Sequence, residues 1–181
     1  MDINLTKAEA EHLKAVLTKI SQEIEEKGGW IPFSRYMEIA LYQPNLGYYT
    51  SALEKFGRFG DFLTAPEISP FFGQTIVNTI LPVLDKLRIY GHPTRVIEIG
   101  AGTGQLAKTI LLDLHRRGFT LDEYHIIDVS PNLIERQQAL LLDTWQNHGI
   151  QTCCQRHSEV LPSFHGVILA NEVIDAIPCD A

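Results

Sequence analysis

Apolar residues recur at helical spacing near the start of the chain. Leu13, Val16, Leu17, Ile20 and Ile24 fall on one stripe, with glutamate and lysine on the opposite face. Thr6 and Glu9 stand just before the stripe at capping-box spacing, and Gly28 and Gly29 follow it. The pattern predicts a helix over 6–27. A second, shorter helix is expected from Ser34, a good N-cap, to Tyr42, with Pro44 as its stop. Ser69 and Pro70 have the order of an N-cap and a first helical residue. Phe72, Ile76, Ile80, Leu84 and Leu87 continue from them at helical spacing. Pro82 lies inside that stripe and predicts a kink or break near residues 78–81, because proline lacks the N–H that the helix needs there.

The stretch from Asn45 to Gly73 follows neither the helical nor the strand period. It holds Gly47, Gly57, Gly60 and Gly73 among Tyr48, Tyr49, Phe56, Phe59, Phe62, Phe71 and Phe72. Aromatic rings in that density need burial, which argues against disorder. A long ordered loop is expected, of the kind that carries function.

After Gly91 the pattern changes to short apolar runs separated by helical ones. RVIEIG from Arg95, EYHIIDVS from Glu123 and GVILAN from Gly166 read as strands, with 151–156 a weaker candidate. Helices are expected over 105–117, closed by Gly118, and over 131–148. Such alternation makes a parallel sheet with right-handed crossovers, so the fold class is α/β. GVILAN is apolar on both faces, as in a strand covered on both sides. The division expected is an N-terminal helical part with its loop over 1–91 and a sheet-forming part over 92–181.

The sharpest motif is Glu98-Ile99-Gly100-Ala101-Gly102-Thr103-Gly104, which follows a strand and opens a helix. Glycines there let the backbone turn tightly and approach a ligand closely. A dinucleotide fingerprint, G-x-G-x-x-G, would need its third glycine where Gln105 stands. Nicotinamide or flavin binding is therefore disfavoured but stays open. Asp128 ends the next strand, where a carboxylate accepts the two hydroxyls of an adenosine ribose. NAD enzymes use an acid there too, and a turn acid before Ser130-Pro131 has the same sequence.

The E-x-G-x-G-x-G loop resembles the first motif of class I S-adenosylmethionine-dependent methyltransferases. Further blocks sharpen the resemblance: GYY, FGxxGDFLTAPEISPFFG, VIEIGAGTGQLA, IIDVSPNLIERQ and NEVIDAIP, in order from about residue 30 to 178. Together they resemble the mitochondrial dysfunction protein A family, which includes the mitochondrial complex I assembly arginine methyltransferase. The resemblance implies a Rossmann-like methyltransferase sheet, of which about four strands are present, preceded by a helical region. It implies S-adenosyl-L-methionine as cofactor, with Gly100, Gly102 and Gly104 packed against it and Glu98 near its ammonium end. It also implies a protein substrate modified at arginine. The fold it implies has seven strands, so the chain is expected to be the N-terminal part of a longer protein. A chain ending at Ala181 is expected to be weakly stable, to self-associate, a homodimer being one form, and to be inactive.

An arginine substrate arrives as guanidinium, which a carboxylate orients by a fork of hydrogen bonds. Glu172 and Asp175 lie just beyond the last strand, where open parallel sheets bind ligands, and are the candidate catalytic acids, Glu172 first. Asn171 is a candidate for orienting cofactor or substrate. Asp61 and Glu67, in the loop before the core, are candidates for the cofactor's cationic end, with a structural role bonded to loop amides the alternative. That loop is expected to act as a lid. The competing function is an assembly or interaction module that keeps the fold without catalysis.

Composition adds exclusions. The chain has 181 residues, 45% of them hydrophobic, and needs no staple to hold a core. A formal net charge of −7 disfavours non-specific binding to nucleic acid or anionic membranes. Cys153, Cys154 and Cys179 form no C-x-x-C pair, and the seven histidines do not cluster, so no metal site is expected. An acidic N-terminus without a long apolar run predicts neither a secretory signal nor a membrane span. A reducing compartment is expected: the cytoplasm, or the mitochondrial matrix if a transit segment has been removed.

Overall fold

The computed structural model describes residues 6–51, 64–148, 150, 163–180 and the backbone of 153–157. Its contacts divide the chain into two units, Met1–Leu53 with Ile174–Ala181, and Glu54–Val173.

In the first unit, α1 (Lys7–Glu26) carries the predicted capping box. The Thr6 N–H donates to Glu9 at 2.7 Å, and the Glu9 N–H donates back to the Thr6 hydroxyl. The helix α2 (Phe33–Tyr42) starts one residue before Ser34, with Pro32 at the cap. The Ser34 N–H instead finds the Asp180 carboxylate at 3.1 Å, an acceptor far away in sequence. Arg35 joins the two helices by a two-pronged pair with Glu23, at 2.7 and 3.0 Å. The Tyr42 hydroxyl donates to the Ala176 carbonyl at 2.9 Å, on the short 3₁₀ turn Ile174–Ala176.

In the second unit, four strands form a parallel sheet in the order β3-β2-β1-β4. They are β1 (Arg95–Ile99), β2 (Glu123–Ile127), β3 (Cys153–His157) and β4 (Val167–Leu169). Val96 pairs with Tyr124 on one side and with Val167 on the other. This is the Rossmann-like arrangement expected of the βαβ alternation, with α5 (Gln105–Arg116) and α6 (Pro131–His148) as the crossovers. Val77, Leu84, Val96, Leu106, Ala107, Ile110, Leu114, Tyr124, Ile126 and Leu141 form its core.

Several expectations need correction here. The helix α4 (Pro70–Ile89) runs through Pro82 without a break. Pro82 and Asn78 are both exposed, so the carbonyl that loses its donor faces water, where it costs least. Gly73, Phe71 and Phe72 belong to α4 and not to the aromatic loop. A Cβ at Gly73 would lie 2.6 Å from Thr109 Cγ2, so this glycine sets how closely α4 approaches α5. α4 packs on α5 and so lies with the sheet in the second unit. The last strand is shorter than GVILAN suggested. Among the described residues it is the sheet's edge, with Ile168 about half exposed.

Candidate cofactor site

The glycine loop starts where β1 ends. The Gly100 N–H donates to the Ile127 carbonyl at 2.8 Å, which ties the loop to the end of β2. Gly100, Gly102 and Gly104 have φ of +64, +54 and +88°, so the loop turns through the left-handed region three times within five residues. Side chains there would meet different surroundings. A Cβ at Gly104 would press on the Gln137 side chain at 3.3 Å, and one at Gly102 meets nothing within 4 Å among the described residues. The space over Gly102 is thus open to a ligand.

Acids surround this turn from three directions. Glu67, on the one-turn helix α3 (Ala65–Ile68), accepts a hydrogen bond from the Thr103 hydroxyl within the loop. Glu98 lies beneath the turn, 2% exposed, and accepts from the Tyr124 hydroxyl at 2.7 Å. Burial pushes its carboxyl up to about 7, opposed by the tyrosine bond and aided by the charge of Asp128. Asp128 follows β2. It accepts from the Ser130 N–H at 3.0 Å on one oxygen and from the Gln137 side-chain amide at 2.8 Å on the other. Burial raises its carboxyl too, and these bonds oppose the rise. The Val129 backbone N–H also bonds the carboxyl, and a carboxylate has about four acceptor positions, so capacity remains for an incoming donor. The turn-acid role and a ribose role are thus compatible.

Gln137 is the residue that sequence reasoning missed. It is fully buried on α6, between Leu133 and Leu141 on the helix's inward stripe. A polar side chain on an apolar stripe was the available signal. Its amide also donates to the Gly102 carbonyl at 2.9 Å, so it joins the glycine loop to Asp128.

The turn after β4 also reaches the loop. Val173 Cγ2 would lie 3.0 Å from a Cβ at Gly100. Glu172, exposed between Asn171 and Val173, has φ +52°, a conformation a glutamate adopts only at a cost of roughly 1–2 kcal/mol. Asn171 is half-buried beside it. Asp175 belongs to the first unit, where its charge and burial raise the Tyr49 and Tyr42 hydroxyls, burial being the larger cause for each. Asp61, with the rest of residues 52–63 of the expected lid, lies outside the described residues. Among the described residues no helix is long and apolar enough to cross a membrane.

Residues 75–181 match a family model described as "Putative S-adenosyl-L-methionine-dependent methyltransferase". The chain belongs to this methyltransferase family. Its solved relatives include a Burkholderia thailandensis protein crystallised with S-adenosyl-homocysteine. That structure is 40% identical, with a TM-score of 0.84 over 98% of this chain and 45% of the other. Among curated relatives, the Drosophila melanogaster protein named protein arginine methyltransferase NDUFAF7 homolog, mitochondrial, is 33% identical. The match covers 83% of this chain and 38% of that protein. The Danio rerio protein arginine methyltransferase NDUFAF7, mitochondrial, is 28% identical over 91% of this chain and 43% of its own length. The chain thus spans less than half the length of these methyltransferase relatives. The family resemblance read from the glycine loop and the NEVIDAIP block, and the Rossmann-like fold, are both borne out.

Proposed function

We propose that the full-length protein binds S-adenosyl-L-methionine and methylates an arginine side chain of a protein. The observation that carries the cofactor assignment is the turn Gly100–Gly104, open over Gly102 and flanked by Asp128. The chemistry of this donor set fits the group. Asp128 offers a carboxylate to a ribose diol, and Glu98 and Glu67 put negative charge near a cationic amino-acid end. The cofactor, when bound, supplies an electrophilic methyl on a sulfonium centre. The chain's own residues orient, exclude water and hold charge. Glu172 is the acid we assign to the guanidinium, by a two-pronged hydrogen bond that aims the nitrogen and takes up its proton. Asp175 is the second choice for that role, and Asn171 orients the groups beside it.

The protein-arginine assignment is supported by the names of the curated relatives. Their mitochondrial designation supports the matrix as one compartment, and the exposed free Cys179 suits any reducing one, the cytoplasm included. A homodimer is a further proposal. Calorimetry with S-adenosylmethionine, S-adenosylhomocysteine and NAD tests the cofactor class; binding of NAD alone would overturn it. Mass spectrometry of the protein substrate, after incubation with labelled cofactor, tests the acceptor; label on any residue other than arginine would overturn that part.

A further inference from the structure

We propose that Gln137 is a positioning residue for the cofactor's ribose, acting through Asp128 and the glycine loop; this rests on the cofactor assignment above. The Gln137 amide nitrogen spends both its protons, one on the Gly102 carbonyl at 2.9 Å and one on Asp128 Oδ2 at 2.8 Å. Both partners are acceptors, so the amide has one orientation. Turned over, it would set its oxygen against a carbonyl and a carboxylate. The two partners follow different strands, Gly102 after β1 and Asp128 after β2. Gln137 is therefore a brace across the sheet's carboxyl end, where the cofactor site lies.

Packing alone does not call for this residue. Its neighbours on the inward stripe of α6 are Leu133, Leu141 and Thr144, and an apolar side chain of similar length would fill the space. Burying an amide costs desolvation, and here the cost is not fully offset. Gln137 Oε1 is sealed from solvent and has no hydrogen-bond partner among the described residues. A side chain that is imperfectly satisfied in the folded protein, yet holds two site elements by the same nitrogen, is explained by what it positions. The Ser130 N–H fixes the other oxygen of Asp128, so the carboxylate cannot rotate while Gln137 holds it. It is then presented to a vicinal diol without further ordering. Gln137 also stands 3.3 Å from where a Cβ at Gly104 would be, so its bulk sets the floor of the loop.

A double-mutant cycle in the full-length protein tests this, with S-adenosylhomocysteine affinity read by calorimetry and folding by thermal melts. Gln137→Met should melt cooperatively and bind roughly tenfold more weakly. Asp128→Ala should lose at least as much. The double variant should lose no more than about twofold beyond Asp128→Ala alone, since without Asp128 the amide holds only the Gly102 carbonyl and no longer ties the loop to the ribose acid. Gln137→Glu keeps the shape and places a carboxylate against Asp128. Its deficit relative to wild type should shrink as pH falls from 8 to 5.5, when the introduced carboxyl regains a proton to donate. Wild-type affinity in Gln137→Met, additive losses in the cycle, or a pH-independent deficit in Gln137→Glu would overturn the inference. Wild-type protein that binds no S-adenosylhomocysteine would overturn the cofactor assignment itself, and the inference with it.

Discussion

The Tyr124 hydroxyl donates to the Glu98 carboxylate at 2.7 Å across two parallel strands, and both side chains are sealed from solvent. Tyr124 is in register with Val96, two residues before Glu98, so the two side chains share one face of the sheet and meet diagonally. The acid of the glycine motif is therefore held from below, by the sheet, while the loop above it stays open.

This pairing has a pH signature. The Glu98 carboxyl is raised from an ordinary value of 4.5 to about 7, chiefly by burial. The folded protein thus holds this proton more tightly than the unfolded chain does. The stability due to neutral Glu98 is fully present below about pH 4.5 and is lost as pH rises through about 7. Glu98→Gln keeps the hydrogen-bond acceptor and cannot ionise. In the cofactor-free protein, its melting temperature relative to wild type should climb between pH 5 and 8 and level off above. A constant difference across that range would show that Glu98 does not titrate there.

Two substitutions probe the cofactor contacts. Gly102→Asp puts bulk and charge into the open space over the loop, at a φ of +54°. It should abolish S-adenosylmethionine binding with the helical circular-dichroism signal preserved. Asp128→Ala should weaken binding by roughly 1.5–3 kcal/mol, the cost of losing a charged hydrogen-bond partner. Titration calorimetry on the full-length protein checks both, and unchanged affinity in either removes that residue from the site.

Glu172 offers a separation of stability from chemistry. Glu172→Gly should relieve its left-handed backbone and raise unfolding stability by about 1 kcal/mol. Glu172→Gln keeps the strain and the shape but loses the charge. Both should bind cofactor normally and methylate at least tenfold more slowly in a single turnover, the scale of a lost acid–base group or more. A Glu172→Gly variant that is both more stable and fully active would make the residue a plain turn.

Gly73 tests packing away from the site. Gly73→Ala places a methyl 2.6 Å from Thr109 Cγ2 and 2.9 Å from its Cβ, and the two helices must separate to admit it. Such overpacking should cost about 1–3 kcal/mol, read as a lower denaturant midpoint with an unchanged slope. Adding Thr109→Ala to Gly73→Ala should recover part of that loss.

The sequence by itself determined the features whose cause is local. The capping box of Thr6 and Glu9 closes within three residues, and the strand–glycine loop–helix unit spans one continuous stretch. Hydrophobic period, cap and glycine all act on near neighbours, so they can be read along the chain. The same holds for Asp128 and Glu172, placed at strand ends by the alternation of elements. Only the tertiary structure decided which side chains meet. Gln137 finds Gly102 across 35 positions, Tyr124 finds Glu98 across 26, and Glu67 finds Thr103 across 36. Nothing in a residue's own neighbourhood specifies a partner at that separation; the order of strands and the docking of α3 and α6 do. Tertiary context also overrode local signals. Pro82 did not break α4, because the freed carbonyl faces water, and Ser34 left its cap to Pro32 once Asp180 supplied an acceptor. A backbone N–H or C=O is satisfied by whichever partner folding brings, and where that partner comes from afar the sequence has no local mark for it.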